Sequence, residues 1–386
     1  MDFSFSPEQE ILRKTIRQFA EKEITPLIEE AEEKHRFPIE ILPKMGKLGY
    51  LGVSFPAECG GSGNEDISIR KIDECIVLEE MSRVCAGIAF GIQAAVIGAP
   101  NYIIRDFGND EQKRKYLAPA IKGEKIGAFS LTEPNAGSDA ASIRTTAVSD
   151  GDFYVLNGNK IFCTNGNIAD YITVAVYTDK EKGVKGGISI IVVEKGAPGF
   201  SVGQKFKKIG HRSAENAELI FEDCRVPQAN IIGEEGRGWP MLMAALNESR
   251  VSDSARAVGV AQAALEAALT YAKERTQFGK PIGKFQAVAF KLAHMHTQIE
   301  AARSLTYKAA WLLGQKKDIR LEISTARLFA AEMVSSVTTQ ALETFGGYGF
   351  IEDFPVQRYW RDARLFYFGY GTEEIQKLVI SRALGM

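Results

Sequence analysis

The sequence predicts an α+β multidomain protein: an N-terminal helical domain, a middle antiparallel β-domain and a C-terminal helical bundle. Three observations predict it. Apolar residues recur at helical spacing through the first third, β-branched and aromatic residues crowd the stretch 151–226, and helical spacing returns after Gly238. These changes of texture set the domains at 1–126, 127–236 and 237–386. A chain of 386 residues is long enough for two or three units with cores of their own.

The first helix opens at Ser6-Pro7-Glu8-Gln9, a cap residue followed by proline and a capping-box glutamine. Ile11, Ile16, Phe19 and Ala20 continue it at helical spacing. Gly60-Gly61-Ser62-Gly63 and Phe107-Gly108-Asn109-Asp110 break the helical pattern. In the β-rich stretch, Asn157-Gly158 between short strand-like runs predicts a two-residue hairpin turn. Beyond Gly238, Val258, Leu265 and Leu269 share one helix face. Further helices are predicted from about Phe285 to Gly314 and from about Leu321 to Phe345, with a shorter last one. Three long helices and a short one make a bundle.

Composition narrows the function classes. Hydrophobic residues are 45% and charged residues 25%, an ordinary globular balance. The net charge of −2 gives no electrostatic reason to expect nucleic acid or an anionic membrane. No apolar run approaches the roughly 20 residues that span a bilayer. The N-terminal stretch is acidic early, without an apolar signal core, and reads as a mature terminus. The five cysteines are scattered and unpaired in pattern, which suits reduced thiols in the cytoplasm. His294 and His296 stand two apart on a predicted helix and face different ways, so no metal site is expected.

The sharpest local feature is AFSLTEPNAGSDAAS, Ala128 to Ser142. Asn135, Gly137 and Ser138 make a turn whose backbone N–H groups can approach an anion or a flat polar ring; a plain interdomain turn reads equally from the same residues. Three further segments accompany it: Glu274 to Met295 (ERTQFGKPIGKFQAVAFKLAHM), Glu343 to Arg364 (ETFGGYGFIEDFPVQRYWRDAR) and Tyr370 to Gly385 (YGTEEIQKLVISRALG). In order and spacing, over nearly the whole chain, the four resemble the acyl-CoA dehydrogenase family.

That resemblance implies a four-helix C-terminal domain, a homotetramer, and FAD held between the β-domain and the C-terminal helices, partly by a neighbouring subunit. Phe129, Leu131 and Thr132 match positions that line the flavin ring, and Ser138 a position near the FAD pyrophosphate and the CoA arm. Phe162 and Thr164 match the aromatic and threonine that contact the isoalloxazine; phenylalanine keeps a stacking face and lacks the N–H of the family's frequent tryptophan. Arg275, Gln277 and Phe278 match residues that reach the adenosine half across the subunit interface, and Gln286, Gly346 and Gly347 fit the same pattern. Glu343 stands where glutamine is frequent; Thr372 and Glu374 follow the terminal motif; Arg250 matches an arginine near the CoA moiety.

The chemistry implied is exchange of an α-proton and a β-hydride on an acyl thioester, with a carboxylate as base. In most members that carboxylate precedes the terminal Gly-Thr; here Tyr370 precedes Gly371-Thr372. A smaller group places it just before Arg250's position, which here is Ser249. Glu248 is about 100° around the helix and faces elsewhere. Tyr370 is thus a hydrogen-bond donor, a proton donor for reduction, or an aromatic wall. Asp253, one turn beyond Ser249, either faces the acyl group or pairs with Arg250 or Arg256. Ser138, Ser249, Arg250, Asp253 and Gly371 are the candidate substrate contacts, and Tyr370 and Asp253 the candidate catalytic residues.

The expected function is FAD-dependent oxidation of an acyl-CoA, or the reverse enoyl-CoA reduction, on an unusual acyl group. An electron-transfer flavoprotein is the implied redox partner. The alternatives are a non-redox acyl-CoA lyase of the desulfinase kind on the same scaffold, and a silent subunit that binds FAD or CoA.

Overall fold

The computed structural model describes residues 4–315 and 317–386; the first three residues of the N-terminal stretch lie outside it. Helix α1 (Pro7–Phe19) starts as the capping box predicts. Gln9 N–H donates to Ser6 Oγ at 3.2 Å and Ser6 N–H to Gln9 Oε1 at 3.1 Å. Arg13 and Arg17 then clasp Glu80 of α2 (Ile67–Val84) at 3.0 and 2.8 Å.

Helices α3 (Ala86–Ala95) and α4 (Ala99–Phe107) follow. Against the expectation from the sequence, 86–107 is long and apolar enough to cross a bilayer by length and composition. Its apolar faces are already taken: 89% of that window is buried inside the protein, where it forms the core beneath the β-domain.

The β-domain is a seven-stranded sheet of order β1-β4-β2-β3-β7-β6, with β5 pairing β4. Its strands are β1 (Gly127–Ser130), β2 (Thr146–Asp150), β3 (Phe153–Thr164), β4 (Tyr171–Tyr177), β5 (Ile188–Glu194), β6 (Phe200–Lys205) and β7 (Asn216–Pro227). Most pairings are antiparallel; β4 runs parallel to both β1 and β2. The hairpin expected at Asn157-Gly158 is corrected. Those residues lie inside β3 at a register shift, and the two-residue turn is Gly151-Asp152. Glycine is required at 158 because its φ is 142° and a Cβ would sit 2.6 Å from Thr145 Oγ1.

The C-terminal helices include α5 (Gly238–Glu274), α6 (Gln286–Leu312), α7 (Arg320–Phe345) and α8 (Glu373–Ala383), with a short helix over Val356–Ala363 before the last. Small residues let α5 approach its neighbours closely. A Cβ on Gly259 would lie 2.1 Å from Glu79 O, so α2 and α5 cross nearly backbone to backbone. The crossing brings Lys71 of α2, already paired with Glu74 Oε1 on its own helix at 2.6 Å, within 2.7 Å of Ser252 Oγ. Glu248 turns to this side, where Arg105 of α4 holds it at 2.7 Å.

Candidate active site

One cavity of about 1410 Å³ opens between the β-domain, α5, α8 and the 364–372 segment. Phe129, Leu131, Thr132, Gly137, Ser138, Phe162 and Thr164 line its β-domain side. A buried ion pair builds that wall. Lys160 of β3 donates to Leu131 O at 3.0 Å and to Glu133 Oε1 at 2.8 Å. Glu133 also accepts from Arg144 N–H, Thr145 N–H and Thr145 Oγ1, at 2.6, 3.0 and 2.6 Å. The 131–145 turn is therefore pinned at both ends. Burial pulls Lys160 down to about 8, still protonated near neutrality.

Phe162 presents an open aromatic face. It holds φ at 55°, is 58% exposed, and leans on Phe206 at 5.2 Å. A left-handed, exposed aromatic on a cavity wall is a ready seat for a planar ring.

The helical side brings Tyr370, Gly371, Thr372 and Arg250 to the same cavity, with Phe90, Met243, Leu246 and Asn247 beside them. Tyr370 takes φ 56°, and its ring meets Phe90 edge-on at 6.4 Å. Burial, then the Asp253 charge, push its hydroxyl pKa well above the usual tyrosine value, outweighing Arg256 and Arg327. Arg250 is buried; Nε donates to Tyr370 O at 3.0 Å and Nη1 to Asn247 Oδ1 at 2.7 Å.

Asp253 and Ser249 are not brought into the cavity lining, which corrects the expectation of substrate contact. The Asp253 carboxylate lies 2.6 Å from Arg256 Nη1 and 2.9 Å from Arg327 Nη2. The ion-pair reading therefore holds, with Arg256 and with a second arginine from α7. Ser249 Oγ is buried without a partner. Thr372 caps α8, Ile375 N–H donating to its Oγ1 at 3.4 Å, while Glu374 lies outside the cavity.

Arg275, Gln277, Glu343, Gly346 and Gly347 gather in a second hollow of about 550 Å³ that shares no residue with the first. Gln286 and Phe278 line neither, and Phe278 is 93% exposed. Glu343 pairs with Lys291 at 2.9 Å. On one chain, then, these candidates for the adenosine half stand apart from the flavin-ring candidates.

The sequence reading missed Arg327, His211 and the Glu133–Lys160 pair. Arg327 had a signal: it sits at helical spacing with Ile323, Ala330 and Val334, on a face that buries. His211 had none, since it packs onto Arg256 and Asp362 from a loop distant in sequence.

Family models for the acyl-CoA dehydrogenase N-terminal, middle and C-terminal domains match residues 6–124, 128–224 and 236–385. The chain belongs to the acyl-CoA dehydrogenase family. It is 45% identical to the short-chain specific acyl-CoA dehydrogenase of Clostridium acetobutylicum, over 99% of each chain. It is 41% identical to the caffeyl-CoA reductase–Etf complex subunit CarC of Acetobacterium woodii, over 98% of this chain and 99% of that one. Butyryl-CoA dehydrogenase from Megasphaera elsdenii superposes with a TM-score of 0.95 at 40% identity, covering 100% of both.

The chain is thus a flavin-dependent oxidoreductase of acyl-CoA CH–CH bonds, with FAD as its cofactor. Its own residues fit that group. Phe162 offers the planar contact, the pinned 131–138 turn the polar edge, and the cavity room for both FAD and a thioester.

Proposed function

We propose that this chain works in the reductive direction, with the Tyr370 hydroxyl delivering a proton to the α-carbon of a 2-enoyl-CoA. The observation that carries the reading is a half-buried tyrosine, its pKa raised, at the end of the cavity where α5 and the 369–372 turn meet. Carboxylates do line the cavity at Asp139, Glu215, Asp318 and Glu322, but none comes from α5 or that turn.

Even an unperturbed tyrosine, with a pKa near 10, is ionised only about one part in a thousand at pH 7. Raising the pKa makes Tyr370 a poorer base and keeps it charged with its proton. Hydride exchange at the β-carbon is the chemistry that bound FAD supplies. Tyr370 breaks its O–H bond as the α C–H bond forms, and the tyrosinate regains its proton from water. The Arg250 bond to Tyr370 O fixes the backbone that carries the ring. Phe90 and the alanine and proline side chains at 94, 99 and 100 keep that end apolar.

An electron-transfer flavoprotein is the proposed source of reducing equivalents; the name of the Acetobacterium relative, with its Etf complex, supports it. A homotetramer is the proposed assembly, because Phe278 at 93% and Phe350 at 90% exposure are large apolar surfaces in want of cover. Five free, buried thiols suit the cytoplasm as its proposed location.

The test is anaerobic absorbance spectroscopy of the FAD-loaded protein. Mixing the dithionite-reduced protein with crotonyl-CoA is expected to restore the oxidised spectrum. Butyryl-CoA is expected to bleach the oxidised protein about a hundredfold more slowly, or less. Faster bleaching than reoxidation overturns the direction. Product without any spectral change assigns a lyase, and binding without either assigns a silent subunit.

A further inference from the structure

Two consecutive residues of the turn that carries the reactive hydroxyl are left-handed, Tyr370 at φ 56° and Gly371 at φ 100°. For a bulky side chain this conformation is strained, and it relaxes unless the surroundings hold it. Among the described residues no group hydrogen-bonds the Tyr370 hydroxyl. Its direction therefore depends on the backbone beneath the ring and on what backs Phe90 beside it.

Both supports lead back to Asp253. Arg327 is buried and reaches across from α7; its Nη2 donates to Phe366 O at 2.6 Å and to Gly369 O at 2.9 Å. Those carbonyls belong to the single helical turn Arg364–Tyr367 and to the residue before Tyr370. The same nitrogen lies 2.9 Å from Asp253 Oδ2, so α5 steadies the guanidinium that holds the turn. The other carboxylate oxygen takes Arg256 Nη1 at 2.6 Å. Arg256 in turn donates to Gln93 Oε1 at 3.0 Å and stands 4.4 Å from the centre of the Phe90 ring. Phe90 meets the Tyr370 ring edge-on. Burying two guanidiniums is costly, and apolar residues of similar volume often pack such a site at least as stably. Apolar residues would leave the carbonyls of Phe366 and Gly369 free and the Tyr370 turn unheld.

We propose that Arg327, steadied by Asp253, is a positioning residue for proton delivery: it holds the turn so that the Tyr370 hydroxyl is aimed into the cavity. Neither Arg327 nor Asp253 lines that cavity, so the effect passes through Tyr370 and not through contact with the thioester. The proposal rests on the reading of Tyr370 as the proton donor and adds the residues that aim it.

A double-mutant cycle tests it, on single-turnover reoxidation of the dithionite-reduced, FAD-loaded protein by saturating crotonyl-CoA. Arg327→Met is expected to slow the reaction about ten- to a hundredfold, the effect of misplacing a reacting group by about an ångström. Crotonyl-CoA affinity, read from the flavin spectrum of the oxidised protein, is expected to stay within about twofold. In the Tyr370→Phe background the same change is expected to cost less than about twofold more, because the group it aims is gone. Three acceptors meet the one nitrogen of Arg327, and a lysine ammonium also offers three donors. Arg327→Lys is therefore expected to recover the rate. If Arg327→Met does not fold, Arg327→Gln takes its place in the cycle. A wild-type rate in that variant overturns the proposal, as does a loss that falls on affinity instead of rate. Equal slowing in both backgrounds, or no rescue by lysine, also overturns it and assigns Arg327 to the general fold. Tyr370→Phe at the wild-type rate overturns the reading of Tyr370, and this proposal with it.

Discussion

Tyr370 carries its ring on a left-handed backbone, φ 56°, which a bulky residue adopts only when its surroundings hold it there. Arg250 on its carbonyl and Phe90 against its ring are those surroundings. Behind it, Asp253 neutralises two buried arginines. Asp253→Asn leaves both without a counter-charge, and a loss of about 3–5 kcal/mol in urea unfolding is expected. A change below about 1 kcal/mol would show the pair to be dispensable. The sequence made half of this legible. Arg250 and Arg256 each stand three residues from Asp253 on one helix, so spacing offered a pairing without choosing between them, and the structure chooses Arg256. Arg327 comes from another helix, and only the apolar face around it hinted at burial.

Among the elements, β3 does most to shape the cavity. It carries Lys160 to the 131–145 turn and Phe162 to the cavity wall within three residues. Lys160→Met strands Glu133 among backbone donors without its cation. Destabilisation of about 3 kcal/mol is expected, with loss of bound FAD on gel filtration; retention of full 450-nm absorbance would contradict it. The same strand shows where local reading fails. Asn157-Gly158 has the composition of a hairpin turn, yet glycine is there because Thr145, just before the neighbouring strand β2, leaves no space for a Cβ. Turn chemistry and close strand approach call for the same residue, and only the tertiary partner tells them apart. The cap of the first helix, by contrast, was legible because its partner is three residues away.

For the whole molecule, Glu248 ties the N-terminal helices to the bundle through Arg105 and Lys71. Burial alone would raise its pKa, but those two cations overcome it and bring it down to about 2. The unfolded chain therefore takes up this proton first as pH falls. The contribution is complete above the ordinary glutamate value near 4.5 and disappears on acidification toward about 2. Glu248→Gln is expected to remove that part of the acid dependence in denaturant melts between those limits; an unchanged slope would contradict the assignment. Assembly is testable through the exposed aromatics. Phe278→Ser combined with Phe350→Ser is expected to lower the mass seen by sedimentation from that of the proposed tetramer, whereas an unchanged mass would place any interface elsewhere.

Proton delivery by the Tyr370 hydroxyl is most directly tested by single-turnover reoxidation of the dithionite-reduced, FAD-loaded protein by crotonyl-CoA. Tyr370→Phe removes the acidic proton and keeps the ring. A fall of about 10²- to 10⁴-fold in rate is predicted, with thioester binding retained. In the wild type the raised pKa keeps the hydroxyl protonated at neutral pH, so no loss of rate from tyrosine ionisation is predicted there. A phenylalanine variant that turns over at the wild-type rate would contradict the account.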